Sequence, residues 1–163
     1  MITQARLKEV IHYDKDTGVF QWVEVTGNQC KLNTPLECSP SCDYLLITID
    51  KVTYRAHRLA WLYVYGVMPN SIIDHIDGNT KNNAISNLRK ADRVTNGYNS
   101  KLRCDSKTGV KGVTWDKTRN KYRVCLVVNK VQYQLGRFDA LEFASLVIRE
   151  ARDKYHGEFA RHE

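Results

Sequence analysis

The polar residues near the middle of the sequence are the ones whose types and spacing could perform chemistry. They are the run Asp74-His75-Ile76-Asp77-Gly78-Asn79, followed by Asn82, Asn83, Asn87, Arg89 and Asn96. A neutral imidazole, with an ordinary pKa of about 6.5, can accept a proton from water near neutral pH. Carboxylate and amide oxygens suit a hard divalent cation. The run therefore predicts a base beside oxygen ligands, with a plain asparagine-rich turn as the alternative.

The elements that must position these residues are predicted to form two short strands and a helix. They are strand 72–76, a turn at 77–79, a short strand around Leu88 and a helix over about 92–99. Neighbouring side chains of a strand point to opposite faces, so Asp74 and His75 cannot both face one atom from the same side. We therefore expect a division of labour, in which the following helix carries Asn96 across to Asp74.

This central region resembles the HNH endonucleases, most closely the phage and homing-type enzymes with a ββα-metal finger. The resemblance rests on Tyr54-Arg55-Ala56-His57-Arg58-Leu59-Ala60-Trp61, on 73–79, on Asn87-Leu88-Arg89 and on Asn96. The opening segment from Leu7 to Trp22 also resembles the lead-in of such phage proteins, so the likeness covers about residues 5–100. It implies a phage-encoded, metal-dependent DNA endonuclease that hydrolyses phosphodiester bonds.

The resemblance also implies a role for each matching residue. His75 would be the general base, and Asp74 and Asn96 would bind Mg²⁺ or Mn²⁺, with Asn99 as the alternative to Asn96. Asn87 would tie the loop together through its amide and fix the His75 backbone. Asparagine in place of the last histidine of the motif argues against a tightly held zinc ion. No catalytic role is expected for His57 or Arg58, which would stabilise the fold or contact phosphate.

The five cysteines do not predict a disulfide framework, because their number is odd in a chain expected to be intracellular. Cys38 and Cys42 could begin a zinc site, but two further ligands at a matching spacing are missing, so structural zinc is not expected. The first residues lack the apolar segment of a signal peptide, and no apolar run is long enough for a membrane helix. We therefore expect a protein of the host-cell cytoplasm with no membrane partner and no small-molecule cofactor.

The formal net charge of +7 is concentrated in the C-terminal part of the chain. From Lys101 to Arg137 there are 10 Lys and Arg residues against 2 Asp residues, whereas the rest of the chain carries 15 basic and 16 acidic residues. Such an uneven distribution favours a polyanionic partner, DNA or RNA, over a merely solvated basic surface.

The C-terminal part is predicted to contain three strands and one amphipathic helix. Residues 121–128 alternate in polarity, and Asn129-Lys130 is a candidate two-residue turn before a strand through Tyr133 and Leu135. We expect Asp139 to cap the helix together with Glu142. Apolar residues would then face the sheet at Ala144, Val147, Ile148, Ala151 and Tyr155, until Gly157 ends the helix.

This part resembles the Apetala-two, or ethylene-response-factor, DNA-binding domain over about residues 107–160. The matching segments are 109–115, 121–128, 135–139 and 151–159. In that family the sheet lies in the major groove of DNA. The match puts Lys111, Thr114, Arg123, Cys125, Val127, Gln132 and Gln134 on the DNA face, with phosphate contacts from Lys107, Lys117, Arg119, Lys121 and Lys130. Several base-reading Arg and Trp residues of the family are replaced, so no target sequence carries over; an ordinary half-exposed sheet is the alternative.

The sequence as a whole predicts an α+β protein with two functional parts. An HNH ββα-metal nuclease domain would span residues 1–100, with its core at about 71–100, followed by a linker at 101–108. A three-stranded antiparallel sheet with one packed C-terminal helix would span 109–160. The predicted partner is double-stranded DNA, nicked at preferred sites by a monomer, because the chain has one set of site residues. The alternatives are a DNA-binding regulator with a relic HNH domain and an RNA-directed nuclease.

Overall fold

The computed structural model describes residues 2–24, 32–38 and 42–162, so Cys30 lies outside the described residues. The chain divides into two compact units, Met1–Ala91 and Asp92–Glu163. Short antiparallel sheets and helices occur in both units, which confirms the expected mixture of α and β structure. None of the helices in the described ranges is both long enough and apolar enough to cross a membrane.

The described residues of the first unit form two α-helices, one 3-10 helix and three two-stranded sheets. Its elements are α1 (Gln4–Val10), β1 (Ile11–Tyr13), β2 (Phe20–Trp22), β3 (Leu46–Ile49), β4 (Val52–Arg55), α2 (Ala56–Tyr65), β5 (Ile72–His75), a 3-10 helix (Ile85–Asn87) and β6 (Leu88–Ala91). Each sheet is an antiparallel pair of successive strands, β1 with β2, β3 with β4, and β5 with β6. The last pair and the loop inside it hold the predicted site.

Local sequence signals explain where several of these elements begin and end. The Thr3 hydroxyl accepts a hydrogen bond from the backbone N–H of Arg6, which caps α1. Asp50 and Lys51 both have positive φ angles, of 49° and 65°, as the tight turn between β3 and β4 requires. Gly66 ends α2 in the left-handed conformation at φ 77°.

The core of the first unit lies between α1, α2 and the paired strands. Its fully buried side chains include Leu7, Phe20, Ile49 and Leu59. The apolar face of α2 therefore faces inward, and His57 lies on that face with the other buried residues of the helix. This packing fixes the position of an imidazole that the sequence did not mark as part of the site.

The second unit is a three-stranded antiparallel sheet with a long helix on one face. Its elements are α3 (Arg93–Tyr98), β7 (Val113–Asp116), β8 (Lys121–Val128), β9 (Val131–Phe138), α4 (Leu141–His156) and a 3-10 helix (Gly157–Phe159). The strand order is β7-β8-β9. Val124 and Leu126 of β8 are buried together with Ala144 and Ile148 of α4, so α4 covers one face of the sheet.

The predicted strand and turn of this unit agree with the structure, but the predicted helix cap is wrong. β8 has the expected bounds, and Asn129 and Lys130 have positive φ angles of 50° and 68°. Helix α4 begins at Leu141 after Ala140, without a side-chain hydrogen bond at its start. Asp139 instead pairs with Lys121, with an oxygen-to-nitrogen distance of 3.1 Å. A salt bridge across the strands thus takes the carboxylate that the sequence assigned to the helix.

Two further features differ from the expected organisation. Tyr155, expected in the buried stripe of α4, is 53% exposed, whereas Arg152 is buried with only 2% exposure. The boundary between the units falls after Ala91, before the linker predicted at 101–108, and α3 groups with the second unit. The reason is packing within that unit, where the Tyr98 ring of α3 stacks on His156 of α4 at a centroid distance of 3.7 Å.

Candidate active site and nucleic-acid-binding face

The loop between β5 and β6 is held together by the side chain of Asn87. Its amide oxygen accepts a hydrogen bond from the Asp77 backbone N–H at 3.0 Å, and its amide nitrogen donates to Asp77 Oδ1 and to the Asn82 carbonyl, each at 2.9 Å. The Ile76 N–H also donates to the Asn87 carbonyl at 2.9 Å. These bonds fix the chain directly after His75.

Asp77 completes this network as an acceptor. It receives hydrogen bonds from the Asn79 backbone N–H and from the Asn82 side chain, both at 2.7 Å. Burial raises the pKa of Asp77, but the hydrogen bonds from Asn79, Asn82 and Asn87 outweigh burial and hold the pKa below its ordinary value. The asparagine-rich stretch is thus a bonded scaffold around an ionised carboxylate.

His75 lies at the end of β5 in a buried cluster of rings. Its ring centroid is 5.1 Å from that of His57, in an edge-to-face arrangement, and 6.2 Å from that of Tyr44. Its Nε2 lies 3.4 Å from the side-chain oxygen of Asn83. The Asn83 carbonyl accepts a hydrogen bond from the Tyr13 hydroxyl at 2.7 Å, which anchors Asn83 to the core.

Both imidazoles of this cluster are uncharged at neutral pH. Burial lowers the pKa of His75, against the opposing effects of the Asn83 hydrogen bond and the charges of Asp77 and Asp74. Burial, with a smaller effect from neighbouring positive charge, lowers the pKa of His57 to about 3. A neutral imidazole can accept a proton, so the cluster has the chemical form that a general base needs.

Asp74 lies one residue before His75 and opposite Arg89 in the sheet register. Both Nε and Nη2 of Arg89 lie 2.9 Å from Asp74 Oδ2, and both side chains are largely buried. A buried carboxylate needs such a partner, because an isolated buried charge is costly. Arg89, to which the sequence gave no role beyond the motif, therefore orients the carboxylate.

The predicted ligands do not all lie in one unit. Asp74 belongs to the first unit, and Asn96 and its alternative Asn99 belong to the second, on α3 and at its C-terminal end. Helix α3 begins with a capping box in which the Asp92 carboxylate accepts from the backbone N–H groups of Val94 and Thr95. Among the described residues, no group of three or more His, Cys, Asp or Glu side chains is arranged to hold a metal ion.

Sequence reasoning missed two rings of the buried cluster, Tyr44 and His57. The Tyr44 ring lies 5.4 Å from the His57 ring, with the Arg55 guanidinium 4.9 Å from the Tyr44 centroid. His57 stands in the quoted 54–61 run, so its place on the inner face of α2, beside Leu59 and Ala60, was the available signal. Contact with His75 depends on tertiary packing and has no local signal.

The open face of the second unit's sheet carries several predicted DNA-binding residues. Register pairs Arg123 with Thr114 on one side and with Arg137 on the other, and pairs Cys125 with Gln134 and Val127 with Gln132. Thr114, Arg123, Gln132 and Gln134 are all exposed. The face thus combines a cation with uncharged hydrogen-bonding groups.

Charge on this face is only partly compensated. Asp116 accepts from Arg137 at 3.1 Å and from Arg119 at 3.4 Å, and Lys121 pairs with Asp139. Arg123 forms no ion pair with any described residue. Its guanidinium is the group on this face that a bound anion could reach without breaking a salt bridge.

Lys111 lies elsewhere than the prediction placed it. Its ammonium donates to the backbone carbonyls of Tyr98 and Ser100, at 2.8 and 2.6 Å, and is partly buried, so it is turned away from the open face. The last carbonyls of a helix lack partners inside the helix, and Tyr98 is the last residue of α3. A lysine that satisfies them holds α3 in place.

The first strand of a β-hairpin carries a buried aspartate and a buried histidine, and a short capped helix follows the hairpin along the chain. This is the strand-strand-helix order of a small nuclease motif. The sequence model of the HNH endonuclease family matches residues 54–98. The part of the chain that carries the predicted site is therefore similar to an HNH endonuclease domain.

Two viral proteins are similar to most of the chain. "Protein 3.8" of Escherichia phage T7 is 36% identical over 108 residues, which are 66% of this chain and 88% of that protein. The "Uncharacterized HNH endonuclease L560" of Acanthamoeba polyphaga mimivirus is 30% identical over 116 residues, which are 70% of this chain and 59% of that protein. No solved structure matches the chain.

Proposed function

We propose that this protein is a metal-dependent DNA endonuclease that nicks duplex DNA at preferred sites, in the manner of the homing-type enzymes. The observation that carries the proposal is a buried, uncharged His75 directly after Asp74, inside the region that matches the HNH family. An uncharged imidazole can accept a proton from water. An origin in a phage genome fits the relative in Escherichia phage T7.

His75 acts in this proposal as the general base. Phosphodiester hydrolysis needs a water molecule that loses a proton as it attacks phosphorus. The Asn87 network fixes the backbone after His75, and the His57 and Tyr44 rings fix the imidazole from the side. A base whose ring is packed between neighbours presents its nitrogen in few positions, which favours a single attack geometry.

Asp74 and Asn96 would hold the divalent cation, Mg²⁺ or Mn²⁺. The donor chemistry fits, because a carboxylate and an amide supply oxygen ligands, and Mg²⁺ accepts sites with few protein ligands while it keeps several waters. Arg89 fixes Oδ2 of Asp74. When bound, the cation would neutralise charge that develops on the phosphate.

The second unit would bind the duplex, as an Apetala-two-like domain, with its open sheet face toward the DNA. Arg123, Gln132 and Gln134 are exposed on that face, and Arg123 has no competing ion pair among the described residues. Gln and Arg side chains can read base edges in the major groove. Exposed Arg119 and half-buried Lys121 would meet phosphates, which position the protein without specifying the sequence.

A plasmid assay tests this function. Supercoiled DNA carrying a cleavage site is incubated with the protein in Mg²⁺ or in excess EDTA. We expect conversion to open circles in Mg²⁺, with linear DNA late or absent, because one chain has one set of site residues. Full cleavage in EDTA would exclude the metal mechanism. Linear DNA from the start would exclude the nicking monomer. RNA is assayed in parallel, and cleavage of RNA alone would exclude the DNA substrate.

The ligand assignment has its own test. Asp74→Ala and Asn96→Ala should each raise the Mg²⁺ concentration for half-maximal cleavage by about tenfold or more, since each removes one of few protein oxygens. Asn99→Ala, at the alternative position, and Asn70→Ala, an exposed control, should leave the Mg²⁺ dependence unchanged. A shift for Asn99→Ala without one for Asn96→Ala would transfer the ligand role to Asn99.

A further inference from the structure

A cleft in the second unit is lined by four cationic side chains. It has a volume of about 570 Å³ and lies between α3, residues 125–127 of β8 and the C-terminal end of α4. The cationic residues that line it are Arg93, Lys111, Lys130 and Arg152, and none of its lining residues is acidic. We call this feature the cationic cleft.

Arg152 is the most buried of these cations. Its side chain is 2% exposed, its Nη2 donates to the Lys111 carbonyl, and its Nη1 has no hydrogen-bond partner. A guanidinium keeps its charge in proteins, so an unmade hydrogen bond leaves a buried charge incompletely satisfied. Burial, more than the charge of Arg149, lowers the pKa of Arg152 to about 10.

Lys111 adds a second partly buried charge beside it. Its two hydrogen bonds go to backbone carbonyls, so nothing in them neutralises the ammonium. Burial and, secondarily, the charges of Arg152 and Arg161 lower the pKa of Lys111 to about 8. Neither Lys111 nor Arg152 lies within 4.0 Å of a carboxylate in the part of the chain that the structure describes.

A histidine in the same cleft has an unused ring nitrogen. His156 Nε2 lies 2.9 Å from the Val127 carbonyl, which can only accept, so Nε2 carries a proton. Its Nδ1 is buried without a partner, and the ring stacks on Tyr98 with an interplanar angle of 4°. An anion nearby would favour the protonated imidazole, whose Nδ1–H would then have an acceptor.

Glycine at position 112 allows this arrangement. Its φ is +80°, and a Cβ there would lie 2.7 Å from the Cys125 carbonyl oxygen, so a side chain cannot be accommodated. The close approach brings the Lys111 carbonyl to Arg152 and leaves the Lys111 side chain at the C-terminal end of α3. The backbone of the second unit thus gathers the cations at one place.

We propose that the cationic cleft binds a phosphate group. The cleft has several cations and no carboxylate in its lining, and the buried Arg152 guanidinium has one unused donor. Two exposed cations, Arg93 and Lys130, lie at its edge. Groups of this kind recognise a phosphate anion. The phosphate would come from the backbone of a nucleic acid or from free phosphate; in the first case the inference rests on the proposed function. The cleft adjoins the open sheet face, because its lining includes Cys125 and Val127, which pair with Gln134 and Gln132 in the sheet.

The test uses the full chain and inorganic phosphate as the probe. The cleft variant carries Arg93→Gln and Lys130→Gln, both exposed, and the matched control carries Lys15→Gln and Lys154→Gln, exposed residues outside the lining. NMR resonances of Tyr98 and His156 are followed during phosphate addition at constant ionic strength. We expect saturable shifts in the wild type, at least tenfold weaker binding in the cleft variant, and binding within twofold of wild type in the control.

A second arm identifies the source of the phosphate. A short duplex should perturb the same resonances and displace phosphate, and the cleft variant should reduce the slope of log affinity against log salt by about 1, if the cleft takes a backbone phosphate. Displacement failing while phosphate binds would identify free phosphate as the ligand. The proposal is overturned if neither phosphate nor duplex gives saturable shifts. The NMR readout does not depend on cleavage. If the wild type binds phosphate but fails to nick plasmid DNA, the proposed function is wrong and the proposal for the cleft stands.

Discussion

Each unit of this protein buries groups that can carry positive charge, and the two units treat that charge in opposite ways. In the first unit, His57 and His75 share a buried cluster in which both imidazoles are neutral. In the second unit, Lys111 and Arg152 are partly or fully buried, and their charged groups are held by backbone carbonyls. Imidazole can shed its proton at little cost, whereas a guanidinium cannot.

This difference suits the two functions that we propose for these groups. A general base must be uncharged before it accepts a proton, and desolvation keeps His75 in that form. An anion-binding group must stay charged, and carbonyl dipoles around Lys111 stabilise charge without neutralising it as a carboxylate would. Burial of a basic side chain therefore predicts function only together with the kind of group that contacts it.

The largest expected effect concerns the base. His75→Ala should lower the single-turnover cleavage rate by about 10²- to 10⁴-fold, the usual contribution of a general base. His12→Ala is the control, because His12 lies exposed on β1. Quenched-flow kinetics on one labelled duplex give the cleavage rates of both variants. An unchanged rate for His75→Ala would show that His75 is not the general base.

A smaller effect is expected for the scaffold of the loop. Asn87→Ala removes three side-chain hydrogen bonds, to Asp77 and Asn82, and should lower the free energy of unfolding of the first unit by about 2 to 3 kcal/mol, at roughly 1 kcal/mol per bond. Urea unfolding followed by tryptophan fluorescence gives the value. Asn70→Ala, at an exposed position, should cost under about 0.5 kcal/mol. Equal losses for the two variants would mean that the network does not hold the loop.

The last of these effects concerns the charge of the buried His57 imidazole. His57 has an ordinary pKa of 6.5 and a folded pKa of about 3, so the unfolded chain binds more protons between these values. Stability should therefore fall as pH drops below about 6.5. His57→Phe removes this term, and the urea midpoint of the first unit should fall less between pH 6 and pH 4 than in the wild type. An identical pH dependence in both proteins would show that His57 is not held neutral by the fold.

Elements with local signals were predictable from the sequence. Gly66 supplied a helix end that needs a left-handed residue, Asn129-Lys130 supplied a two-residue turn, and alternation fixed the bounds of β8. The same holds for the HNH spacing around His75, which the family match includes. For the helix end, the turn and the strand the determining contacts lie within a few residues along the chain, and for the HNH region the spacing of the polar residues is the signal.

The errors came from contacts between distant residues. Asp139 pairs with Lys121 instead of capping α4, and the Lys111 side chain turns to the end of α3. Arg152 is a charged residue within a helical stripe, and only tertiary structure shows that Lys111 provides a carbonyl for it. The contact of His57 with His75 joins a helix to a strand. Local pattern carries no record of such pairings.

We propose that the residues around His75 cut DNA and that the open sheet face of the second unit holds it. Cleavage at saturating DNA and equilibrium affinity, measured on one duplex with His75→Ala and Arg123→Gln, test this division most directly. His75→Ala should lose cleavage by about 10²-fold or more with its dissociation constant within about twofold of wild type. Arg123→Gln should weaken binding about tenfold or more and keep its saturated rate within about twofold. If both variants lose cleavage rate to the same extent, or both lose DNA affinity to the same extent, the division of labour is contradicted.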